Sequence, residues 1–271
     1  MSTFVTLLRA DDAAAARSRV VWAIAGVGAA WAVLIAVLAR GSDAVGRQHA
    51  LQADGASLML LGGLVAALTL GASAFPGDAH SGYLGMLVGA GADRRTIAAA
   101  RVLARLGTLA GMLALWWAIL ELDSWSLGLG FDEALTTHTL AMLVNNGLAL
   151  AAAALMSSLI GAVASGVFGL MVFVTAQAVV NLKAALDQGA VAHDPTGIIT
   201  PMYVALPRGI VSPMLEAHQR EGIRSLAAPK LTVNGYDVIV PSSPWPNVVW
   251  TLAWIAVLVA LATFGLRRRQ L

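Results

Sequence analysis

Six long apolar runs, separated by polar segments, are the feature that most restricts the fold of this 271-residue chain. An α-helix needs about 20 apolar residues to cross a bilayer, and in lipid only helices and closed barrels pair all of their backbone groups. The runs therefore predict an all-α membrane protein, with 1–271 forming one transmembrane domain. The six predicted spans are about 20–39, 56–75, 99–120, 139–163, 166–186 and 248–266.

The composition agrees with this class. Only 12% of the residues are charged and 58% are hydrophobic, whereas a soluble domain has about 25% charged residues. The chain contains no cysteine, which excludes disulfide bonds, cysteine-ligated zinc and thiol catalysis. The formal net charge of +2 is too small to indicate a nucleic-acid partner.

The polar segments between the runs are predicted to lie outside the lipid. Residues 40–55 and 121–138 are predicted as short external loops, Ser165 and Gly166 as a tight inner turn, and 187–247 as a long external segment. Within the last of these, Asn234-Gly235 is a strong signal for a two-residue hairpin turn, because both residues tolerate a positive φ. A short hairpin is therefore expected, with strands over Lys230–Val233 and Tyr236–Val240.

Arginine placement predicts the orientation, because cytoplasmic segments carry an excess of basic residues. On the opposite side the short loops hold only Arg40 and Arg47, so both termini are expected to be cytoplasmic. Arg101 and Arg105 are expected to extend toward the headgroups, and Trp116 and Trp117 to lie in the outer aromatic belt. The ten arginines on the side of the termini are Arg9, Arg17, Arg19, Arg94, Arg95, Arg101, Arg105, Arg267, Arg268 and Arg269.

The segment before the first span, residues 2–19, is short and weakly amphipathic. Its periodicity gives weak support to an interfacial helix. A secretory signal is the competing interpretation. The acidic pair Asp11 and Asp12 and the length of the following apolar run disfavour it.

The stretch from Leu70 to Arg105 joins the second and third spans and is the most informative part of the chain. Pro76 and Gly82 interrupt the helix, and a short apolar helix is predicted around 85–88. Asp93 is expected to cap the next helix, which begins with several arginines. The stretch therefore predicts a short helix held between two spans on the cytoplasmic side.

This stretch resembles the first intracellular loop of ABC type-2 exporter permeases, which are membrane subunits driven by a separate ATPase. The resemblance covers about a seventh of the chain. It departs from the family pattern at Tyr83, where threonine is usual, at Gly85, where glutamate is usual, and at Arg101, where lysine is usual. The matching positions are Leu70–Ala74, Asp78, Gly82, Leu87, Arg94 or Arg95, Ile97 and Arg101.

The resemblance implies a cytoplasmic ATP-binding cassette partner that holds ATP and magnesium, and a second permease copy, identical or related. It implies a multi-pass exporter, expected in a bacterial inner or plasma membrane, with residues 2–19 forming an amphipathic helix on the inner membrane surface. The low polarity of the spans suggests an amphiphilic cargo, such as a drug, lipid or peptide. The residues implied to couple to the ATPase are Asp78, Gly82, Tyr83, Leu84, Leu87, Arg94 and Arg95.

The chain has no ATP site of the usual kind, because neither Lys183 nor Lys230 lies in a G-x-x-x-x-G-K-[ST] sequence. A G-x-S-x-G nucleophile elbow is also absent. The five histidines are scattered over predicted loops, which disfavours a metal site. The sequence thus predicts no catalytic residue and no cofactor in this chain.

Polar residues inside spans are candidates for a substrate path, since they are costly in lipid. They also serve to join helices through hydrogen bonds worth about 0.6 to 2 kcal/mol, and both interpretations stand. The candidates are Asn145, Asn146, Thr175, Gln177 and Asn181.

Two alternatives to an exporter remain. One is the permease of a metalloenzyme-maturation complex, which passes motion to an external partner through 187–247. The other is a membrane enzyme or a scaffold that has no ATPase partner.

Overall fold

The computed structural model describes residues 3–76, 83–187, 197–210, 232–233, 236–237 and 245–268. Nearly all of these residues are helical. The helices are α1 (Thr3–Arg17), α2 (Arg19–Ala39), α3 (Ala44–Ser57), a π-helical turn (Leu58–Gly62), α4 (Gly63–Ala72), α5 (Tyr83–Gly89), α6 (Arg94–Ser126), α7 (Glu133–Ser157), α8 (Ala162–Asp187), α9 (Ile199–Ala205) and α10 (Trp245–Arg268).

Among the described residues, six helical stretches are long and apolar enough to cross a membrane. The predicted helical class and the expectation of six helices of this length and composition are thereby confirmed. The stretches are Arg19–Ala39, Gly46–Ala72, Arg94–Ser126, Glu133–Ser157, Ala162–Lys183 and Trp245–Leu266.

Helix α7 is the centre of the bundle and packs against α4, α6, α8 and α10. Its alanine-rich run 148–154 is buried between α4 and α8. A Cβ atom added at Gly71 of α4 would lie 2.5 Å from the carbonyl oxygen of Leu150, and one at Gly169 of α8 would lie 2.8 Å from that of Ala149. Small residues therefore let the backbones of α4, α7 and α8 come into close contact, as expected for helix packing in lipid.

The bundle has two ends, and its side-chain contacts define them. At one end Arg94 reaches the carbonyl of Leu266, which brings the start of α6 to the end of α10. We call this the elbow end. At the other, which we call the strap end, Arg40 pairs with Asp123 over 2.7 Å, so the end of α2 meets the end of α6.

The predicted loop over 40–55 is wrong, because 44–57 is the helix α3, which runs on through the π-helical turn into α4. Asp43 explains the difference. Its Oδ1 accepts a hydrogen bond from the Gly46 N–H over 2.8 Å, so the first polar residue acts as a helix cap. The predicted loop over 121–138 is likewise too long, since α6 ends at Ser126 and α7 begins at Glu133.

The tight turn predicted at Ser165 and Gly166 is also wrong. Helix α7 ends at Ser157, and both residues lie inside α8. The Ser165 hydroxyl donates to the carbonyl of Gly161 over 2.8 Å. A serine bonded to its own helix in this way is compatible with a helix interior.

Trp116 does not lie in an interfacial belt. It is 1% exposed, and its Nε1 donates to the Ala25 carbonyl over 3.0 Å. Its ring packs against Gly28 of α2, where a side chain would collide with it. The prediction fails because α6 continues ten residues beyond Trp116, about 15 Å at 1.5 Å per residue.

The predicted hairpin is present as two short antiparallel strands, β1 (Thr232–Val233) and β2 (Tyr236–Asp237). Thr232 pairs with Asp237 and Val233 with Tyr236. This is the register that a two-residue turn at 234–235 requires, and those two turn residues lie outside the described residues.

Candidate functional site

Helix α5 is a separate short helix between two spans, as the sequence predicts. It ends at Gly89, and Gly91 follows with a φ of 85°, a conformation that favours glycine. Leu87 and Val88 pack against the core, whereas Met86 is 66% exposed. We call 83–95 the elbow; Tyr83 and Leu84 begin its helix, while Asp78 and Gly82 lie outside the described residues.

The two arginines of the elbow have different environments. Arg94 Nη1 donates to the carbonyl of Leu266 over 3.1 Å, in the last turn of α10. Carbonyls at that position have no partner within their own helix, and a cation is favoured there. Arg95 is exposed, so it is the one available to a partner.

Helix α6 begins where the sequence predicts. Asp93 precedes its first residue, and the Asp93 carbonyl accepts from the Ile97 N–H over 3.0 Å. The Asp93 side chain makes no capping hydrogen bond. Backbone geometry and the glycine before it therefore set this boundary.

Arg101 points into the protein, so the expectation that it extends toward the headgroups is wrong. It is 3% exposed; its Nε lies 3.3 Å from Asp11 Oδ2, and its Nη1 donates to the Ala74 carbonyl over 3.1 Å. Ala74 lies just beyond the end of α4, where carbonyls need outside partners. Arg101 supplies that donor, and Asp11 balances its charge.

The contact between Asp11 and Arg101 also holds α1 against α6. This helix packs along α6, with Leu7 and Ala15 buried. The Trp22 Nε1 donates to the Ala16 carbonyl over 2.7 Å and so pairs one of the last carbonyls of α1. The predicted helix over 2–19 is therefore present and is attached to the bundle.

Two mainly apolar grooves adjoin α2. One, of about 530 Å³, lies between α1, α2 and α6 and has Asp12 and Trp22 on its walls. The other, of about 510 Å³, lies between α2, the π-helical turn and α6, with Trp31, Leu61 and Trp116 among its lining residues. Both have the volume and the apolar lining that suit an acyl chain or another apolar group.

At the strap end a non-helical segment lies between helices. We call Leu206–Ile210 the strap; Pro207, Gly209 and Ile210 in it are buried. The Gly209 N–H donates to the Ala176 carbonyl of α8 over 2.8 Å. The Leu206 carbonyl accepts from Trp250 Nε1 of α10 over 2.9 Å, and the Arg208 carbonyl accepts from the Thr251 hydroxyl. These bonds provide the partners that non-helical backbone needs inside a membrane protein.

Asn145 of α7 forms hydrogen bonds with the last residue of the strap. Its Nδ2 donates to the Ile210 carbonyl over 2.9 Å, and its Oδ1 accepts from the Ile210 N–H over 2.8 Å. Gln177 lies against Gly209, where an added Cβ would be 2.6 Å from the amide. The strap thus brings together two of the five predicted path residues.

The other three predicted path residues lie elsewhere. Asn146 faces α4, where its Nδ2 donates to the Met59 carbonyl in the π-helical turn over 3.0 Å. Its Oδ1 is buried and has no hydrogen-bond partner among the described residues. Thr175 is half-buried and Asn181 is exposed. The five residues are therefore divided between the strap, the π-helical turn and the outer surface.

His138, predicted on a loop, is buried in α7, with its Nε2 3.2 Å from the Ala56 carbonyl. Within the part of the chain that the structure describes, no group of three residues is arranged to hold a metal ion. Comparison of the sequence with known protein families and with curated proteins finds no match.

Sequence reasoning placed Arg101 in the wrong environment and missed Thr251 and the strap. Arg101 carried a signal, since a buried arginine in an apolar run needs a carboxylate or carbonyl partner. Thr251 carried none, because a single threonine in a span is common. The strap is short, and only its contacts with α7, α8 and α10 distinguish it from an ordinary loop.

Proposed function

We propose that this protein is the membrane-spanning permease subunit of an ATP-driven exporter and that the elbow receives the motion of a separate ATP-binding cassette ATPase. The observation that carries the proposal is the form of α5. It is a separate helix between α4 and α6. Its Met86 side chain is exposed, whereas Leu87 and Val88 pack against the core. A partner that pushes α5 therefore pushes the packed helices behind it.

The arginine distribution supports an elbow end that faces the cytosol, with both termini on that side. In this orientation α1 lies at the inner membrane surface, where its attachment to α6 through Asp11 and Arg101 fixes it. The membrane is a bacterial inner or plasma membrane. This chain is not itself catalytic; ATP and magnesium are bound by the partner.

The two grooves beside α2 support an amphiphilic cargo, such as a drug, lipid or peptide. Both are lined mainly by apolar side chains. A second permease, identical or related, completes the assembly, as in the family that the elbow resembles.

One observation favours a second candidate. Between α8 and α10 the chain forms α9, the strap and the β1–β2 hairpin, which is more structure than a short loop needs. A permease of a metalloenzyme-maturation complex would use such a surface to move an external protein. This candidate predicts ATP-dependent binding of an external partner without cargo export.

The absence of cysteine allows a direct test. Met86→Cys places a single thiol on the exposed side of α5, and Phe131→Cys places one on an exposed loop at the strap end. With a thiol-reactive crosslinker in native membranes, Met86→Cys should capture a chain that carries a nucleotide-binding loop, identified by mass spectrometry. Phe131→Cys should not.

Capture of no ATPase at Met86, or equal capture at both positions, would favour a scaffold or membrane enzyme instead. Cargo is then sought by transport into inverted vesicles, with and without ATP. Transport without ATP would also contradict the proposal.

A further inference from the structure

Arg208 of the strap lies close to two aromatic rings. Its guanidinium carbon lies 4.0 Å from the ring centroid of Tyr203 and 5.3 Å from that of Trp250. Its Nε donates to the Tyr203 carbonyl over 2.8 Å. Cation–π contacts with two rings, together with a hydrogen bond to the backbone, fix the guanidinium in one orientation.

The rings are fixed as well. The Tyr203 hydroxyl donates to Asn247 Oδ1 over 3.2 Å, and Trp250 Nε1 donates to the Leu206 carbonyl over 2.9 Å. Lys183 of α8 adds a second cation, with its Nζ 6.0 Å from the Tyr203 ring centroid. Two positive charges therefore share one preformed aromatic platform.

The positive charge of Arg208 is not balanced by a carboxylate among the described residues. Its two Nη nitrogens likewise have no acceptor there, because its side-chain hydrogen bond to the Tyr203 carbonyl uses Nε. A guanidinium with two parallel donors matches two oxygens of a phosphate or carboxylate group. The platform is thus built to receive an anion.

The depth of the platform identifies the anion. Lys183 is the last residue of the α8 span, and Trp250 is five residues inside the α10 span that begins at Trp245. Five helical residues rise about 7.5 Å, which is close to the depth of one headgroup layer. Trp245 and Val204 nearby are 71% and 57% exposed, as in an interfacial belt.

We propose that Arg208 and Lys183 bind the phosphate of a membrane phospholipid at the strap end, with Tyr203 and Trp250 as its apolar support. Arg208 contacts two phosphate oxygens through Nη1 and Nη2, and Lys183 provides a further positive charge. Because Arg208 belongs to the strap, the lipid holds the strap in place. The inference does not depend on an ATPase partner and stands or falls separately from the exporter proposal.

The test uses the full-length protein, delipidated in detergent and titrated by native mass spectrometry. The probes are phosphatidylglycerol and a diacylglycerol with the same acyl chains. Phosphatidylglycerol should bind at least about tenfold more tightly, since a charge-assisted hydrogen bond contributes about 1.5 kcal/mol or more. R208Q should remove most of this preference, and R208K should recover part of it.

Two further variants keep the test decisive. K183Q leaves all strap hydrogen bonds in place and should weaken phosphatidylglycerol binding about threefold or more; it decides the matter if R208Q does not fold. R95Q, at the elbow end, should bind the lipid as the wild type does.

Equal binding of the two lipids, or unchanged phosphatidylglycerol binding in R208Q and K183Q, would overturn the inference. Competition by glycerol 3-phosphate at concentrations that match the lipid affinity would assign the site to a soluble phosphate compound and also overturn it. Selective lipid binding without such competition supports it.

Discussion

Asn145 of α7 pairs with Ile210 of the strap through both ends of its amide, as a neighbouring β-strand would. The Ile210 N–H donates to Oδ1 over 2.8 Å, and Nδ2 donates to the Ile210 carbonyl over 2.9 Å. Ile210 is 2% exposed, so neither backbone group has access to water. The Asn145 side chain therefore provides hydrogen-bond partners for both backbone groups of Ile210, where the strap enters the bundle.

Replacing this side chain should destabilise the protein. Asn145→Leu keeps the approximate size but leaves the N–H and carbonyl of Ile210 unpaired, at about 1–3 kcal/mol for each buried group. The free energy of unfolding in detergent is the measurement. Asn181→Leu is the matched control, because Asn181 is an exposed amide on α8 and should change stability little. Equal effects of the two substitutions would contradict the role of Asn145.

The Arg101 and Asp11 pair predicts a second stability difference. Arg101→Met removes the partner of both Asp11 and the Ala74 carbonyl, and breaking a buried pair from one side costs about 3–5 kcal/mol. Asp11→Asn should cost less, because it keeps a polar partner for Arg101. A double-mutant cycle should give a coupling of about 0.5–3 kcal/mol.

Asp12→Asn is the control for that cycle, since Asp12 is the exposed neighbour of Asp11. Protease cleavage in α1 provides an independent measurement, because loss of the pair releases α1 from α6. Unchanged cleavage in Arg101→Met would show that packing of Leu7 and Ala15 alone holds the helix.

The spans could be predicted because each is specified by its own residues. Hydropathy over about 20 positions is a local property, and so are the glycine breaks around α5. Helix ends were less predictable. Asp43 and Asp132 appear in the sequence as loop residues, yet in the structure each caps a helix through a hydrogen bond, so the helices extend into the predicted loops.

Partners across the bundle could not be predicted, because they depend on distant parts of the chain. Arg101 lies 90 positions from Asp11 and 27 from Ala74, and Asn145 lies 65 from Ile210. Adjacent residues also diverge: Asn145 faces the strap whereas Asn146 faces the π-helical turn. A helix of 3.6 residues per turn separates neighbours by about 100°, but only the packed structure determines what each one meets.

The small-residue contacts of α7 give a third prediction. Gly71→Ala and Gly169→Ala place a methyl group against the backbone of 149–150, which cannot move without displacing α7. We expect losses of about 1–3 kcal/mol in stability. Gly26→Ala is the control, because nothing lies within 4 Å of its Cβ position; it should stabilise α2 by about 0.5–1 kcal/mol.

Substitutions of the two neighbouring arginines of the elbow should distinguish an effect on stability from an effect on partner binding. Arg94→Gln removes the cation at the end of α10 and should lower stability by about 0.3–1 kcal/mol. Arg95→Glu should leave stability within about 0.5 kcal/mol of the wild type, because Arg95 is exposed and contacts solvent. It should nevertheless abolish co-purification of the proposed ATPase partner, since it reverses a charge on the proposed docking surface. Arg19→Glu makes the same charge change on an exposed residue at the start of α2 and should retain the partner. Retention of the partner by Arg95→Glu, together with its loss in Arg19→Glu, would move the docking surface from the elbow to the α1–α2 junction.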